Sequence, residues 1–113
     1  MFKYYFSYIL LLKKGWLKMN KNKVRELERR IDEVLYYVWD PIGVSDIPAA
    51  RGEYSSYTMT ILKYVLEEDL KKVANQLSKI QRDSMCMATD EVENLKIAEQ
   101  LIDFKDAIEV GLK

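Results

Sequence analysis

Apolar residues recur at intervals of three and four along the first long stretch of the chain. The recurring positions are Val24, Leu27, Ile31, Val34, Leu35 and Val38. This spacing places them on one face of an α-helix, with charged residues on the opposite face. Asn20 or Asn22 is suited to cap the start of this helix. Asp40 precedes a proline and is biased away from helical geometry, so we predict that the helix ends near Trp39.

Three later stretches have the same periodicity. They predict helices from about Glu53 to Leu66, from an acidic N-terminus at Glu67-Glu68-Asp69 to about Ser84, and from a capping Asp90 to about Val110. The side chains expected to face inward are, in chain order, Tyr54, Tyr57, Ile61, Tyr64, Val65, Leu70, Val73, Leu77, Ile80, Val92, Leu95, Ala98, Leu101, Ile102 and Ile108. Because no stretch alternates like a β-strand, the sequence predicts an all-α fold, a compact four-helix domain.

Residues 1–18 differ in kind from the rest of the chain. Tyr4 to Leu12 is apolar and aromatic apart from Ser7. This stretch is too short to cross a membrane as a helix, which needs about 20 apolar residues. Three interpretations remain open: a membrane-surface anchor, an extra N-terminal helix packed on the domain, or translated upstream sequence.

We favour upstream sequence as a hypothesis. Lys13-Lys14-Gly15-Trp16 requires purine-rich codons, which resemble a bacterial ribosome-binding site, a short way before Met19. Met19 would then open a single domain of residues 19–113, which carries 14 Lys/Arg and 18 Asp/Glu and is therefore acidic. Membrane contact is expected only if residues 1–18 are a genuine part of the protein.

The composition excludes several kinds of chemistry. Histidine, the commonest general base near neutral pH and the commonest metal ligand, does not occur in the sequence. Cys86 is the lone cysteine, which excludes an internal disulfide and favours a reducing, cytoplasmic location. It stands between two methionines, and we expect it to be a small buried apolar side chain. We expect no catalytic residues, no cofactor and no metal site.

The formal net charge is zero, but the charges are unevenly distributed. Residues 1–30 carry nine Lys/Arg against two Asp/Glu, whereas residues 85–113 carry three against seven. In the first helix Glu26 and Glu28 interleave with the basic residues, which argues against nucleic-acid binding because phosphate contact prefers an uninterrupted basic stripe. A protein partner of opposite charge fits this distribution better.

The most specific motif is the junction after the first helix, Trp39-Asp40-Pro41-Ile42-Gly43. We expect Trp39 to close the end of the bundle, and Asp40 to accept backbone N–H groups two or three residues further on. Gly43 suits a backbone conformation that other residues resist. Arg51 and Glu53 are expected to pair with Asp40 and close a connection that is long for a helical bundle. If the role of these residues is structural, they cap the helix end and fix the turn that follows it.

This junction, together with Glu53-Tyr54-Ser55-Ser56-Tyr57 at the start of the next helix, resembles a family of small, largely uncharacterised bacterial all-helical proteins. The resemblance covers roughly residues 24–110. Members often read Asp-Glu-Tyr-Asp-Ser-Tyr where this chain has Gly52-Glu53-Tyr54-Ser55-Ser56-Tyr57, so two acidic positions are lost here and the resemblance implies no metal role. Some members resemble immunity proteins encoded beside secreted toxin domains.

These observations give a functional hypothesis. The chain is interpreted as a protein-binding module, and specifically an immunity protein that neutralises a cognate, basic toxin domain by binding and occlusion. Its partner-binding residues are expected to be Asp40, Asp46, Glu53, Tyr54 and Tyr57, with the carboxylates steering association and the aromatic rings buried in the contact. The alternative is a homodimeric structural or regulatory domain of unknown role. For any single tyrosine, the alternative to partner contact is a ring packed in the core with its hydroxyl reaching water.

Overall fold

A computed structural model describes residues 19–111, and every regular element in them is helical. The four α-helices are α1 (Lys21–Val34), α2 (Ser55–Leu66), α3 (Leu70–Lys79) and α4 (Glu91–Glu109). Two of them end in a π-helical turn, Leu35–Trp39 after α1 and Ile80–Ser84 after α3, and a short 3-10 turn spans Pro48–Ala50. The predicted all-α, four-helix architecture is confirmed. The hypotheses about residues 1–18 lie outside the described residues.

Side-chain caps fix where three of the helices begin. Asn20 accepts a hydrogen bond from the backbone N–H of Lys23 at 2.9 Å, as predicted for the start of α1. Asp69 and Asp90 cap α3 and α4 in the same way. The helix α2 has no side-chain cap and begins at Ser55, two residues after the predicted start.

The helices pack around one apolar core to which α4 contributes a regular stripe. The buried residues of α4 are Asn94, Ile97, Ala98, Leu101, Lys105 and Ile108. The prediction that Val92 and Leu95 face inward is wrong, since they are 69% and 41% exposed. Val38 was also expected inside and is 50% exposed, because the π-helical turn that contains it changes the rotation per residue.

Cys86 is exposed, so the expectation that it is a buried apolar side chain is wrong. It lies in the connection between α3 and α4, where its backbone has a positive φ of 52°. That conformation turns the chain out of the π-helical turn towards the Asp90 cap. The side chain therefore points away from the core despite its apolar neighbours.

Polar contacts hold the far end of the bundle, where α1 begins and α4 ends. Lys23 donates from Nζ to the backbone carbonyl of Glu109 at 2.8 Å. Lys105 is almost fully buried, and its ammonium group is paired with Glu68, Asp106 and Glu109. Within residues 19–111, no helix combines the length and the apolar character needed to span a bilayer.

Candidate functional site

Asp40 is the centre of the junction between α1 and α2. It follows the π-helical turn with φ 33° and ψ 59°, a left-handed conformation. Its carboxylate accepts hydrogen bonds from the backbone N–H groups of Val44 (2.8 Å) and Ser45 (3.0 Å), which are four and five residues further on rather than the predicted two or three. The hydroxyl of Tyr54 donates to Oδ1 of Asp40 at 2.7 Å. One carboxylate thus joins the first and last residues of the connection.

These contacts set the ionisation of both groups. Burial opposes the charged form of Asp40, but the hydrogen bonds from Tyr54, Val44 and Ser45 outweigh it, so the pKa of Asp40 is lowered. The pKa of Tyr54 is raised by burial and by the neighbouring carboxylate of Asp40. At neutral pH the pair is therefore a charged acceptor and a neutral donor.

Tyr36 supports the middle of the same connection from below. Its hydroxyl lies 3.0 Å from the carbonyl oxygen of Val44 and 2.7 Å from that of Ile47, and it can donate its one proton to either. Because its ring is buried in the core, desolvation raises the pKa of the Tyr36 phenol. The turn at residues 44–47 is thereby fixed to α1.

Trp39 closes the end of the bundle as predicted. Its side chain is 6% exposed, and its ring centroid lies 5.8 Å from that of Tyr54. The indole N–H donates to Oδ1 of Asn94 at 2.8 Å, and the amide of Asn94 donates to Ser78 and Gln81. This buried network joins the junction to α3 and α4, and the sequence analysis missed it.

Arg51 does not pair with Asp40, and that prediction is wrong. The oxygens of Asp40 already accept hydrogen bonds from the connection and from Tyr54, so Arg51 binds Asp32 of α1 at 2.9 Å instead. Its guanidinium lies 4.9 Å from the ring centroid of Tyr36 and 5.4 Å from that of Tyr37. Arg51 therefore holds the end of the connection against two aromatic rings.

Of the predicted partner-binding residues, only some reach the surface. Asp46 and Glu53 are exposed, Asp40 and Tyr57 are half-buried, and Tyr54 is fully buried. The expectation that the ring of Tyr54 forms a surface contact is therefore wrong: its hydroxyl is needed beside Asp40, and this draws the ring into the core. Glu53 is not among the hydrogen-bond partners of the Asp40 carboxylate, which are Val44, Ser45 and Tyr54.

The same segment exposes large apolar side chains that sequence reasoning did not select. Tyr37 is 59%, Ile42 44% and Ile47 49% exposed. Each of them is adjacent to a buried tyrosine: the rings of Tyr37 and Tyr36 are 4.7 Å apart, the carbonyl of Ile47 is bound by Tyr36, and the N–H of Ile42 donates to Tyr54. We define the junction surface as these three residues with the carboxylates at its edge. Its members are Tyr37, Ile42, Asp46, Ile47 and Glu53.

Two other polar features lie outside the junction surface. A cleft of about 310 Å³ between α1 and α2 is lined by Arg25, Glu28, Arg29, Asp32, Ser55 and Thr58. Its charges are balanced in sign, and its Asp32 is already bound by Arg51, Ser55 and Thr58. The carboxylates of Glu68, Asp106 and Glu109 lie within 4.8 Å of one another, but the ammonium of Lys105 is their cation.

Comparisons with known proteins give no relative. The chain matches no protein-family model, no curated protein and no solved structure. The geometry of the junction therefore carries the functional argument.

Proposed function

We propose that this chain is a helical protein-binding module, an immunity protein that neutralises a cognate bacterial toxin by binding and occlusion. The observation that carries the proposal is the junction surface: a long connection, fixed from beneath by Asp40, Tyr36 and Tyr54, that exposes apolar side chains beside carboxylates. The resemblance of the Trp39-Asp40-Pro41-Ile42-Gly43 junction to immunity-like proteins supports the same function.

Fixation of the connection favours binding. A flexible loop loses conformational freedom when a partner orders it, whereas a segment already held in one conformation loses little. Hydrogen bonds to Asp40 hold the start of this connection, and the Tyr36 hydroxyl holds its middle. Its exposed side chains are therefore presented to a partner in a defined arrangement.

Charge supports a basic partner. Asp46 and Glu53 are exposed, whereas the nearby cation, Arg51, is neutralised by Asp32 at 2.9 Å. The carboxylates would accelerate encounter with a basic domain, and the apolar side chains would then be buried. Occlusion requires a stable contact over the partner's active surface and no chemistry by this chain.

The test is to sequence the DNA directly upstream of this reading frame, where we expect a toxin domain to be encoded, and to measure whether this chain neutralises that domain. Co-expression with this chain should restore growth, and the purified pair should form a complex. Reversing charge in Asp46→Lys/Glu53→Lys should lower the association rate by roughly tenfold at low salt and leave the dissociation rate nearly unchanged. The matched control is Glu99→Lys/Asp103→Lys, which makes the same charge change at exposed positions of α4.

Three outcomes would contradict the proposal. One is the lack of a toxin reading frame beside the gene, and another is unaltered association by the Asp46/Glu53 variant. The third is elution of the chain alone at twice its monomer mass, with the junction surface buried between the copies. That result would favour the alternative, a homodimeric structural or regulatory domain.

A further inference from the structure

Tyr37 is the most exposed of the three apolar residues of the junction surface, yet neighbouring groups hold it in place. Its ring contacts that of Tyr36 edge-on, with an interplanar angle of 83°. The guanidinium of Arg51 lies 5.4 Å from the centroid of the Tyr37 ring and is itself bound to Asp32. An exposed aromatic ring held in this way can be buried by a partner with little loss of side-chain entropy.

We infer that Tyr37 is the energetic anchor of the junction surface, and that its partner contributes an apolar side chain flanked by Lys or Arg. This inference rests on the proposed function for its biological role, but it concerns the surface itself. Tyrosine is among the residues that most often dominate interface energetics, and such residues lie at the centre of a contact surrounded by weaker ones. Ile42 and Ile47 supply the surrounding apolar contacts.

The charge of the surface selects the flanking residues of the partner. Asp46 is adjacent to Ile47 in the chain, and Glu53 is adjacent to Tyr54, whose hydroxyl binds the N–H of Ile42. Arg51 contributes no net charge because Asp32 is its partner. An acidic segment would meet unpaired carboxylates here, whereas a basic segment would neutralise them.

Arg51 is a positioning residue in this arrangement. It acts through Tyr37 because its guanidinium contacts both rings, 4.9 Å from the centroid of Tyr36 and 5.4 Å from that of Tyr37, while it is bound to Asp32. A lysine would keep the charge but lose the broad guanidinium that contacts both rings and binds Asp32 at the same time. If Arg51 served only to neutralise Asp32, lysine would replace it without effect on binding.

The experiment uses a random peptide library displayed on phage, selected on the full chain. We expect the selected peptides to combine an aromatic or aliphatic residue with Lys or Arg. Tyr37→Ala should weaken their binding by about thirtyfold. Val92→Ala is the matched control, since Val92 is 69% exposed on α4 and should bind as the wild type does. Arg51→Lys should raise the dissociation rate and leave the association rate unchanged.

Urea unfolding of each variant shows whether the fold is retained, and Tyr37→Phe provides a second variant that keeps the ring. If Tyr37→Phe binds the selected peptides as the wild type does and Tyr37→Ala does not, the ring of Tyr37 is the anchor. The inference is overturned if Tyr37→Ala binds the peptides as tightly as the wild type, if the library yields acidic peptides, or if it yields no binders. Selected peptides that bind through Tyr37 without any toxin complex would refute the immunity function and leave the anchor intact.

Discussion

Replacing Tyr54 with phenylalanine removes one oxygen atom from the centre of the junction. That hydroxyl donates to Asp40 at 2.7 Å and accepts from the N–H of Ile42 at 3.2 Å. The ring is fully buried and keeps its packing against Trp39 in the variant. The change therefore isolates the two hydrogen bonds from the hydrophobic contribution of the side chain.

The loss can be estimated from the two contacts. A hydrogen bond to a charged acceptor contributes about 1.5–3 kcal/mol. Ile42 is 44% exposed, so water can replace the acceptor of its N–H and this second contact adds only about 0.5 kcal/mol. We expect Tyr54→Phe to lower the free energy of unfolding by about 2–3 kcal/mol. For a domain of this size that corresponds to a melting temperature lower by roughly 10–20 °C.

Urea unfolding, followed by circular dichroism at several pH values, measures this difference. The folded-state pKa of Asp40 lies below its ordinary value of 3.8, so its ionised form stabilises the fold above that pH. This stability is lost as the pH falls through the lowered pKa. The difference in free energy of unfolding between wild type and Tyr54→Phe should therefore be largest above about pH 4 and should become smaller in more acidic solution.

The matched control is Tyr57→Phe, which removes a hydroxyl from a half-buried tyrosine in the first turn of α2. It should change the free energy of unfolding by less than about 0.5 kcal/mol. Equal stability of the two variants, or a Tyr54→Phe gap that does not change with pH, would refute the role assigned to the Asp40 carboxylate.

Two further changes test the rest of the fold. Asn94→Leu leaves the indole N–H of Trp39 buried without an acceptor and should cost about 2–3 kcal/mol in urea unfolding, whereas Asn75→Leu, at an exposed position of α3, should be near neutral. If both variants lowered the free energy of unfolding equally, the hydrogen bond from Trp39 to Asn94 would not stabilise the fold. Lys105→Met should cost about 1–2 kcal/mol at neutral pH, because Glu68 loses its partner but remains 45% exposed to water. Burial opposes the charge on Lys105, but its hydrogen bonds to Glu68 and Asp106 outweigh it and raise its pKa above 10.5, so its stabilisation is present below that pH and is lost as the pH rises through the folded value. If the difference in free energy of unfolding between wild type and Lys105→Met stays constant into strong alkali, the ammonium charge contributes nothing to stability.

Helix type and approximate bounds could be predicted from the sequence because they depend on local signals. The apolar stripe of α1, the acidic caps at Asp69 and Asp90, and the proline after Asp40 each act within a few residues. The stripe predicted for α4 is right at Ala98, Leu101 and Ile108 and wrong at Val92 and Leu95, because only apolar residues were counted. A complete helical stripe exists there only when Asn94 and Lys105 are included, and both are buried.

Contacts across the chain could not be predicted. Arg51 binds Asp32 rather than Asp40 because Asp40 is occupied by backbone N–H groups, which depends on the folded path of the connection. Because Tyr36 and Tyr37 are adjacent in the chain, a helix turns one of them away from its inner face. Which of them does so follows from the π-helical turn, which a search for α-helical periodicity does not detect.

The π-helical turn after α1 is a place where the chain can lose a residue without rotating the part that follows. The N–H of Asp40 bonds to the carbonyl of Leu35, five residues back, where an α-helix would span four. Deleting Val38 would convert the wide turn into an ordinary one and leave Leu35 and Asp40 facing each other as before. Deleting Ile31 would instead rotate everything beyond it by about 100°. The surplus residue that widens this turn is thus also what leaves Val38 at the surface while Trp39 is buried.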